Sequence, residues 1–126
     1  MFKYTLIIAA GRGERLKPFT DDHPKALLNV DETPLISYSL KQLINGIEHV
    51  SITVGYQAEQ IKKLVLNEGA NKILDTSNKE NAWWVFNTFF QNINEPVLVL
   101  PCDIITYLDF DFLYHSYLKA DPLCVY

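Results

Sequence analysis

The sequence predicts a three-layer α/β/α fold built around a mostly parallel sheet. Three observations predict it. Short strand-like apolar runs recur along the chain, segments of helical period fall between them, and loops rich in Gly, Pro and polar residues separate the two. Strands that alternate with helices at this spacing imply right-handed crossovers and a parallel sheet. In such sheets ligands bind beyond the carboxyl ends of the strands. That rule directs attention to residues 10–25, Gly55, residues 76–81 and residues 102–106.

Taken in order, residues 4–9 form a nearly continuous apolar run, as expected of a strand covered on both faces. Residues 11–24 read as a loop of Gly, Pro and charge, and residues 25–30 as a short extended stretch closed by a turn over Asp31-Glu32-Thr33-Pro34. Beyond Pro34 the period changes: Ile36, Leu40, Leu43 and Ile44 mark one helical face, which Gly46 closes. Residues 49–54 give a second strand with Gly55 as its exit turn. Ala58, Ile61, Leu64 and Val65 line a second helix that ends near Gly69. Residues 72–74 form a third strand, followed by a polar loop in which Ser77 or Asn78 supplies a helix cap. Ala82, Val85, Phe86, Phe89, Phe90 and Ile93 fall at helical spacing, residues 96–100 form an apolar strand, and Phe110, Leu113, Tyr114, Tyr117 and Leu118 line a last helix capped by Asp109 or a nearby Asp. The chain stops inside an apolar run, residues 123–126, which reads as a truncated sheet. Residues 1–126 are thus expected to form a single portion of a larger domain.

Composition narrows the function classes. The chain has 48% apolar and 21% charged residues and a net charge of −4, the profile of an ordinary globular protein and not of a polyanion binder. Nucleic acid and membrane partners are therefore not expected. No segment reaches the ~20 apolar residues that cross a bilayer. The N-terminal run leads straight into a charged loop without a small-residue cleavage site, so it reads as a buried strand and the protein as cytoplasmic. The two cysteines, Cys102 and Cys124, lie in apolar runs without metal-ligand spacing and read as buried thiols. His23, His49 and His115 share no ligand spacing either.

The chemistry concentrates in Gly11-Arg12-Gly13-Glu14-Arg15-Leu16-Lys17-Pro18, directly after the first strand. Two glycines let the backbone turn tightly and present N–H groups to an anion. Arg12, Arg15, Lys17 and Lys25 gather positive charge in one loop of an acidic chain, and arginine forks match phosphate oxygens. A dinucleotide fingerprint would need a third glycine where Leu16 stands and a helix where Pro18 intervenes, and a P-loop would need Gly-Lys-Ser/Thr. A charged surface loop is the remaining alternative.

The run from Leu6 to Thr20, with Ala9-Ala10-Gly11-Arg12-Gly13-Glu14-Arg15-Leu16-Lys17-Pro18-Phe19-Thr20 at its centre, is followed by Pro24-Lys25-Ala26-Leu27. This order resembles the signature of the sugar-phosphate nucleotidyltransferases, Ala-(Ala or Gly)-Gly-x-Gly-x-Arg-Leu-x-Pro-x-Thr, a spacer, then Pro-Lys-x-Leu. It covers about the first quarter of the chain. The resemblance implies a Rossmann-like nucleotide-diphospho-sugar transferase fold and roles for particular residues. The backbone of Ala9, Ala10, Gly11, Arg12 and Gly13 would contact the base and cradle the phosphates. Arg15 would hold the leaving pyrophosphate, Lys25 would sit near the reacting α-phosphate and the acceptor phosphate, and Asn81 would face the nucleoside.

At the end of the apolar strand, Leu98-Val99-Leu100-Pro101-Cys102-Asp103 puts a carboxylate on the ligand edge. Hard oxygen suits Mg²⁺, which takes one or two protein carboxylates together with substrate phosphates. Asp103 is the candidate metal ligand, with a capping Asp as the plain alternative. The resembled family carries an Asp here, usually after Gly, where this chain has Cys102. The family's second metal-binding Asp lies beyond position 126.

Of the remaining candidates, Trp83, Trp84 and Asn87 fall off the helical stripe, and packing is the more common use of Trp. Tyr56 and Gln57 follow the second strand, where a contact with base or sugar competes with a loop role. Asp109 and Asp111 read as helix caps, and Thr20 and Asp21 carry no assigned chemistry. The expected reaction joins a nucleoside triphosphate to a sugar 1-phosphate and releases pyrophosphate, with Mg²⁺. The alternatives are a cytidylyltransferase acting on phosphocholine or another phospho-alcohol, and a non-catalytic nucleotide-binding regulator. An uncapped apolar strand also leaves room for pairing with a second copy.

Overall fold

A computed structural model of the chain describes residues 1–76, 87 and 89–120. Four parallel strands form its sheet: β1 (Tyr4–Ile8), β4 (His49–Val54), β5 (Lys72–Asp75) and β6 (Val97–Pro101), in the order β5-β4-β1-β6. Among the described residues it is accompanied by the helices α1 (Leu35–Gly46), α2 (Ala58–Asn67) and α3 (Phe110–Ala120). The expected strands and helices in these segments appear within a residue or two of their predicted bounds.

Residues 25–30 differ from the expected extended stretch. Pro24 is extended (φ −66°, ψ 147°), and the N–H groups of Leu27 and Leu28 turn back to the carbonyls of Pro24 and Lys25 at 2.9 and 3.1 Å. Lys25–Leu27 is therefore a single 3-10 turn, pinned to the core by Ala26, which is 1% exposed. A two-residue hairpin follows, β2 (Asn29–Val30) and β3 (Thr33–Pro34), turning on Asp31 and Glu32 at φ 48° and 63°. Positive φ at both turn residues matches the right-handed twist of a short hairpin.

The stripe expected to form a helix over residues 82–93 lies largely outside the described residues, as do Ser77, Asn78, Trp83, Trp84 and the strand expected at 123–126. At its described end, Phe89–Asn92 is a 3-10 turn, not an α-helix, with Ile93 N–H bonded to the Phe90 carbonyl at 3.0 Å. Asn92, Asn94 and Pro96 are poor continuations of a helix.

Among the described residues a continuous apolar cluster packs the helices onto the sheet. Ile36, Leu40 and Leu43 of α1 and Ile61 and Val65 of α2 are wholly buried, facing Ile7 of β1 and Val50, Ile52 and Val54 of β4. Right-handed crossovers carry the chain from β1 through α1 to β4 and through α2 to β5, so both helices cover the same face. α3 joins that face: Phe2 meets Tyr114 edge-on with ring centroids 5.2 Å apart, and Phe110 lies against Gly46. A Cβ on Gly46 would come within 2.9 Å of the Phe110 ring, so glycine at the end of α1 serves close helix approach and not only helix termination. Asp109 caps α3 as expected, accepting from the Phe112 N–H at 2.9 Å. Among the described residues no helix is long and apolar enough to cross a membrane.

From β1 the chain moves outward to β4 and β5, then returns to pair β6 on the other side of β1. The strand order thus reverses between β1 and β6. Ile8 is aligned with Thr53 on one side and Pro101 on the other, so the carboxyl ends of three adjacent strands share one edge.

Leu40→Ala should lower unfolding stability by roughly 2–5 kcal/mol, because Leu40 is wholly buried between α1 and the sheet. Urea denaturation would show this as a lower midpoint with an unchanged slope.

Candidate active site

The first part of the site is set by β4. Ala9 N–H donates to the Thr53 carbonyl at 3.2 Å and to its hydroxyl at 3.1 Å, and Tyr56 N–H donates to the Ala10 carbonyl at 3.4 Å. Glycine at position 55 permits this approach, since a Cβ there would stand 3.0 Å from the Ala10 oxygen. The backbone then leaves the sheet. Among the described residues the N–H groups of Gly11 to Arg15 donate to no protein acceptor, and the next bond runs from Leu16 N–H to the Gly13 carbonyl at 2.9 Å. A run of unengaged amides at the carboxyl edge of a sheet is a site able to receive an anion.

The two loop glycines differ in what they do. Gly13 has φ 70°, and a Cβ on it would meet Lys25 Cβ at 2.9 Å and Thr20 Cγ2 at 3.0 Å. Thr20, only 2% exposed, donates its hydroxyl to the Gly13 carbonyl at 2.8 Å and so folds the loop back on itself. At Gly11 a Cβ would meet nothing within 4 Å. The protein itself does not need glycine there. The missing side chain leaves open space over the free amides.

Lys25 crosses to the end of β6, where its ammonium is ion-paired with Asp103 Oδ2. The two side chains are 32% and 36% exposed, so the pair stands at the rim and is not entombed. Asp103 is held from both sides. Cys102 N–H continues the β1–β6 ladder to the Ile8 carbonyl at 3.2 Å. Beyond it, Ser39 donates to the Ile104 carbonyl at 3.1 Å, while the Gln42 amide donates to the Thr106 carbonyl at 2.7 Å and accepts from Leu108 N–H at 2.9 Å. The α1 side chains thus fix the path of the chain after the carboxylate. Cys102 itself is buried, and burial above all, with a contribution from Asp103 and against the effect of Lys25, pushes its thiol up to about 11. It stays protonated at neutral pH, which suits packing and not nucleophilic attack.

The structure therefore brings together Lys25 and Asp103 and sets Lys25 against Gly13, in the loop that continues from Ala9, Ala10, Gly11 and Arg12. Arg15 is exposed in the 3-10 turn Glu14–Leu16 and makes no ion pair among the described residues. Asn81 lies outside the described residues. Counting cations in the loop overstated its free charge. Glu14 takes Lys17 at 2.6 Å and approaches Arg12 at 3.7 Å. Arg12 also lies over the Tyr56 ring, 4.8 Å from its centroid, and the Tyr56 hydroxyl donates to the Asp21 carbonyl. Tyr56 consequently belongs to the loop. Gln57, at φ 52°, starts α2 and bonds Gln60. Gln60 in turn donates to the Asp22 carbonyl at 3.2 Å and pairs with His23. Polar residues one helical turn after a strand were the available signal for this contact, but sequence spacing did not show where they reach.

Two hollows flank these residues. A small one of about 110 Å³ is lined by Arg12, Glu14, Lys17, Thr20, Asp21 and Tyr56. A larger open groove of about 540 Å³ lies between α1 and α3, against Gln42, Tyr107 and Phe110, and contains neither Lys25 nor Asp103. Chemistry, not size, distinguishes them: the small hollow is lined by Arg12 and Lys17 together with Glu14 and Asp21 and, like the groove, does not include Lys25 or Asp103, but it belongs to the loop that follows β1, where strand order reverses. Among the described residues no group of three or more His, Cys, Asp or Glu is placed to hold a metal unaided.

A parallel sheet that reverses at a glycine-rich loop, with a lysine–carboxylate pair at the end of β6, defines a Rossmann-like α/β domain. Within that class the chain belongs to the nucleotidyl transferase family, whose model matches residues 4–120. It is 41% identical over 71 residues, 56% of the chain, to a choline-phosphate cytidylyltransferase of Streptococcus pneumoniae. It is 32% identical over 113 residues, 83% of the chain, to an N-acetylmuramate alpha-1-phosphate uridylyltransferase of Neisseria meningitidis serogroup B. The matches span 31% and 48% of those two relatives' lengths. Among solved structures, UDP-glucose pyrophosphorylase complexed with UDP-glucose superimposes with a TM-score of 0.70 over 96% of this chain and 55% of that one, at 23% identity, a likeness of fold.

The two glycines should separate on substitution. Gly13→Ala should cost roughly 1–3 kcal/mol of stability from its positive φ and its contacts with Lys25 and Thr20. Gly11→Ala should stay within about 0.5 kcal/mol, as Cβ there meets open space. Thermal unfolding of both variants checks this. Cys102 gives a pH signature as well. Its thiol is raised from 9.0 to about 11, so its contribution to stability is present below pH 9 and is lost as pH rises toward 11. Urea midpoints measured across that range should fall further in the wild type than in Cys102→Ala.

Proposed function

We propose that this protein transfers a nucleoside monophosphate from a nucleoside triphosphate to a sugar 1-phosphate or a comparable phosphorylated alcohol, releasing pyrophosphate, with Mg²⁺. The observation that carries the reading is the meeting of Lys25 and Asp103, with Lys25 packed against Gly13 of the loop whose amides, from Gly11 to Arg15, have no protein acceptor among the described residues. An oxygen of the acceptor's phosphate attacks the α-phosphorus. The new O–P bond forms as the bond from the α-phosphorus to the bridging oxygen breaks, and pyrophosphate leaves with that oxygen. Such chemistry rests on positioning and charge neutralisation, and it requires no protein nucleophile.

In this reading the loop amides receive the triphosphate and Arg12 and Arg15 meet its outer oxygens. Lys25 lies between the α-phosphate and the incoming acceptor phosphate. Asn81 is assigned to the nucleoside. A single rim carboxylate with its Oδ1 free of the Lys25 bond fits an ion that arrives already bound to phosphates, so Asp103 is the residue that would hold Mg²⁺. Bound there, Mg²⁺ supplies neutralisation of the phosphate charge. A cytoplasmic site of action accords with a triphosphate substrate.

A second reading shares the mechanism and changes the acceptor. The 41% identity to a choline-phosphate cytidylyltransferase favours CTP and a phospho-alcohol, whereas the longer match to an N-acetylmuramate alpha-1-phosphate uridylyltransferase favours UTP and a sugar 1-phosphate. A panel crossing CTP, UTP, dTTP and GTP with sugar 1-phosphates and phosphocholine, read by pyrophosphate release, decides between them. Lys25→Ala and Asp103→Ala should each lower kcat/KM by about 10²–10³-fold. Triphosphate binding without turnover against any acceptor would point instead to a regulatory binding module.

A further inference from the structure

We propose that Tyr56 is a positioning residue for the triphosphate loop, holding the Arg12 guanidinium ready for phosphate oxygens; this rests on the nucleotidyl-transfer reading. Three contacts tie Tyr56 to the loop. Its N–H reaches the Ala10 carbonyl at 3.4 Å, its hydroxyl donates to the Asp21 carbonyl, and its ring lies 4.8 Å beneath the Arg12 guanidinium carbon. The residue thus touches the loop at its departure, at its exposed arginine and at its return. Gln60, one turn along α2, adds a bond to the Asp22 carbonyl at 3.2 Å.

Arg12 has a competing partner. Glu14 stands 3.7 Å from its Nε and already binds Lys17. A guanidinium drawn fully onto that carboxylate would be neutralised and turned away from an incoming anion. The aromatic face attracts the cation without neutralising it, because a ring quadrupole carries no net charge and leaves the planar N–H groups free at their edge. The ring also forms one wall of the 110 Å³ hollow lined besides by Arg12, Glu14, Lys17, Thr20 and Asp21. Tyr56 therefore acts through Arg12.

The test is a double-mutant cycle on binding of inorganic tripolyphosphate, followed by titration calorimetry at low salt. Tyr56→Leu should weaken binding by roughly three- to fivefold, while Tyr56→Phe, which keeps the ring, should stay within about twofold of wild type. In an Arg12→Ala background Tyr56→Leu should add nothing. With active enzyme the loss should appear in KM for the triphosphate and not in kcat. Additive penalties in the cycle, or Tyr56→Phe as damaging as Tyr56→Leu, would overturn the role given to Tyr56 while leaving the functional reading intact. A wild-type protein that binds no tripolyphosphate would overturn both.

Discussion

The ion pair between Lys25 and Asp103 joins residues 78 positions apart, and most of the architecture can be read as what makes that meeting possible. Lys25 is delivered by a loop that leaves β1 and returns over Gly13. Asp103 is delivered by β6, which pairs directly with β1 in register. Neither side chain carries much stability at its degree of exposure; rim ion pairs contribute little. The stabilising work is done beneath them by Ala26, Cys102 and Ile7, which are buried, and by Ser39 and Gln42, which tie down the chain that follows the carboxylate. The pair reports that two loops have been placed correctly.

Charge around the loop is arranged more sparingly than a count of basic residues implies. Glu14 occupies Lys17, Asp103 occupies Lys25, and a neutral ring holds Arg12. Arg15 alone of the four stands exposed without an ion pair among the described residues. A cationic loop held this way keeps its side chains extended and apart in the absence of ligand, yet gives most of them a weak partner that a polyphosphate can displace.

Much of this was legible in the sequence. Strand and helix positions followed from period and from glycine and proline punctuation, because burial on a parallel sheet demands apolar runs and an amphipathic helix demands its stripe. The place of Asp103 was legible because a charge directly after an apolar strand falls at that strand's carboxyl end, whether it serves there as a ligand or as a cap. Other features were not. The 3-10 turn at Lys25–Leu27 depends on the backbone angle of Pro24, and extended and 3-10 stretches of three residues share one composition. Gly13 and Gly11 look alike as letters, and only the positions of Lys25 and Thr20 distinguish a glycine required by packing from one that leaves space. Tyr56 and Gln60 reach the loop across 35 and 38 positions, a distance over which pattern carries no information.

The order of pairing in the sheet has a kinetic corollary. β1, β4 and β5 are linked by successive short crossovers, whereas β6 must return across β5 and β4 to reach the far side of β1. Contacts that close long loops form late in folding, because chain entropy is lost before the pairing repays it. Until β6 docks, Lys25 lacks its partner Asp103, while Glu14 and Asp21 already lie within the basic loop's own segment. Lys25 therefore acquires its ion-pair partner only when β6 joins the sheet.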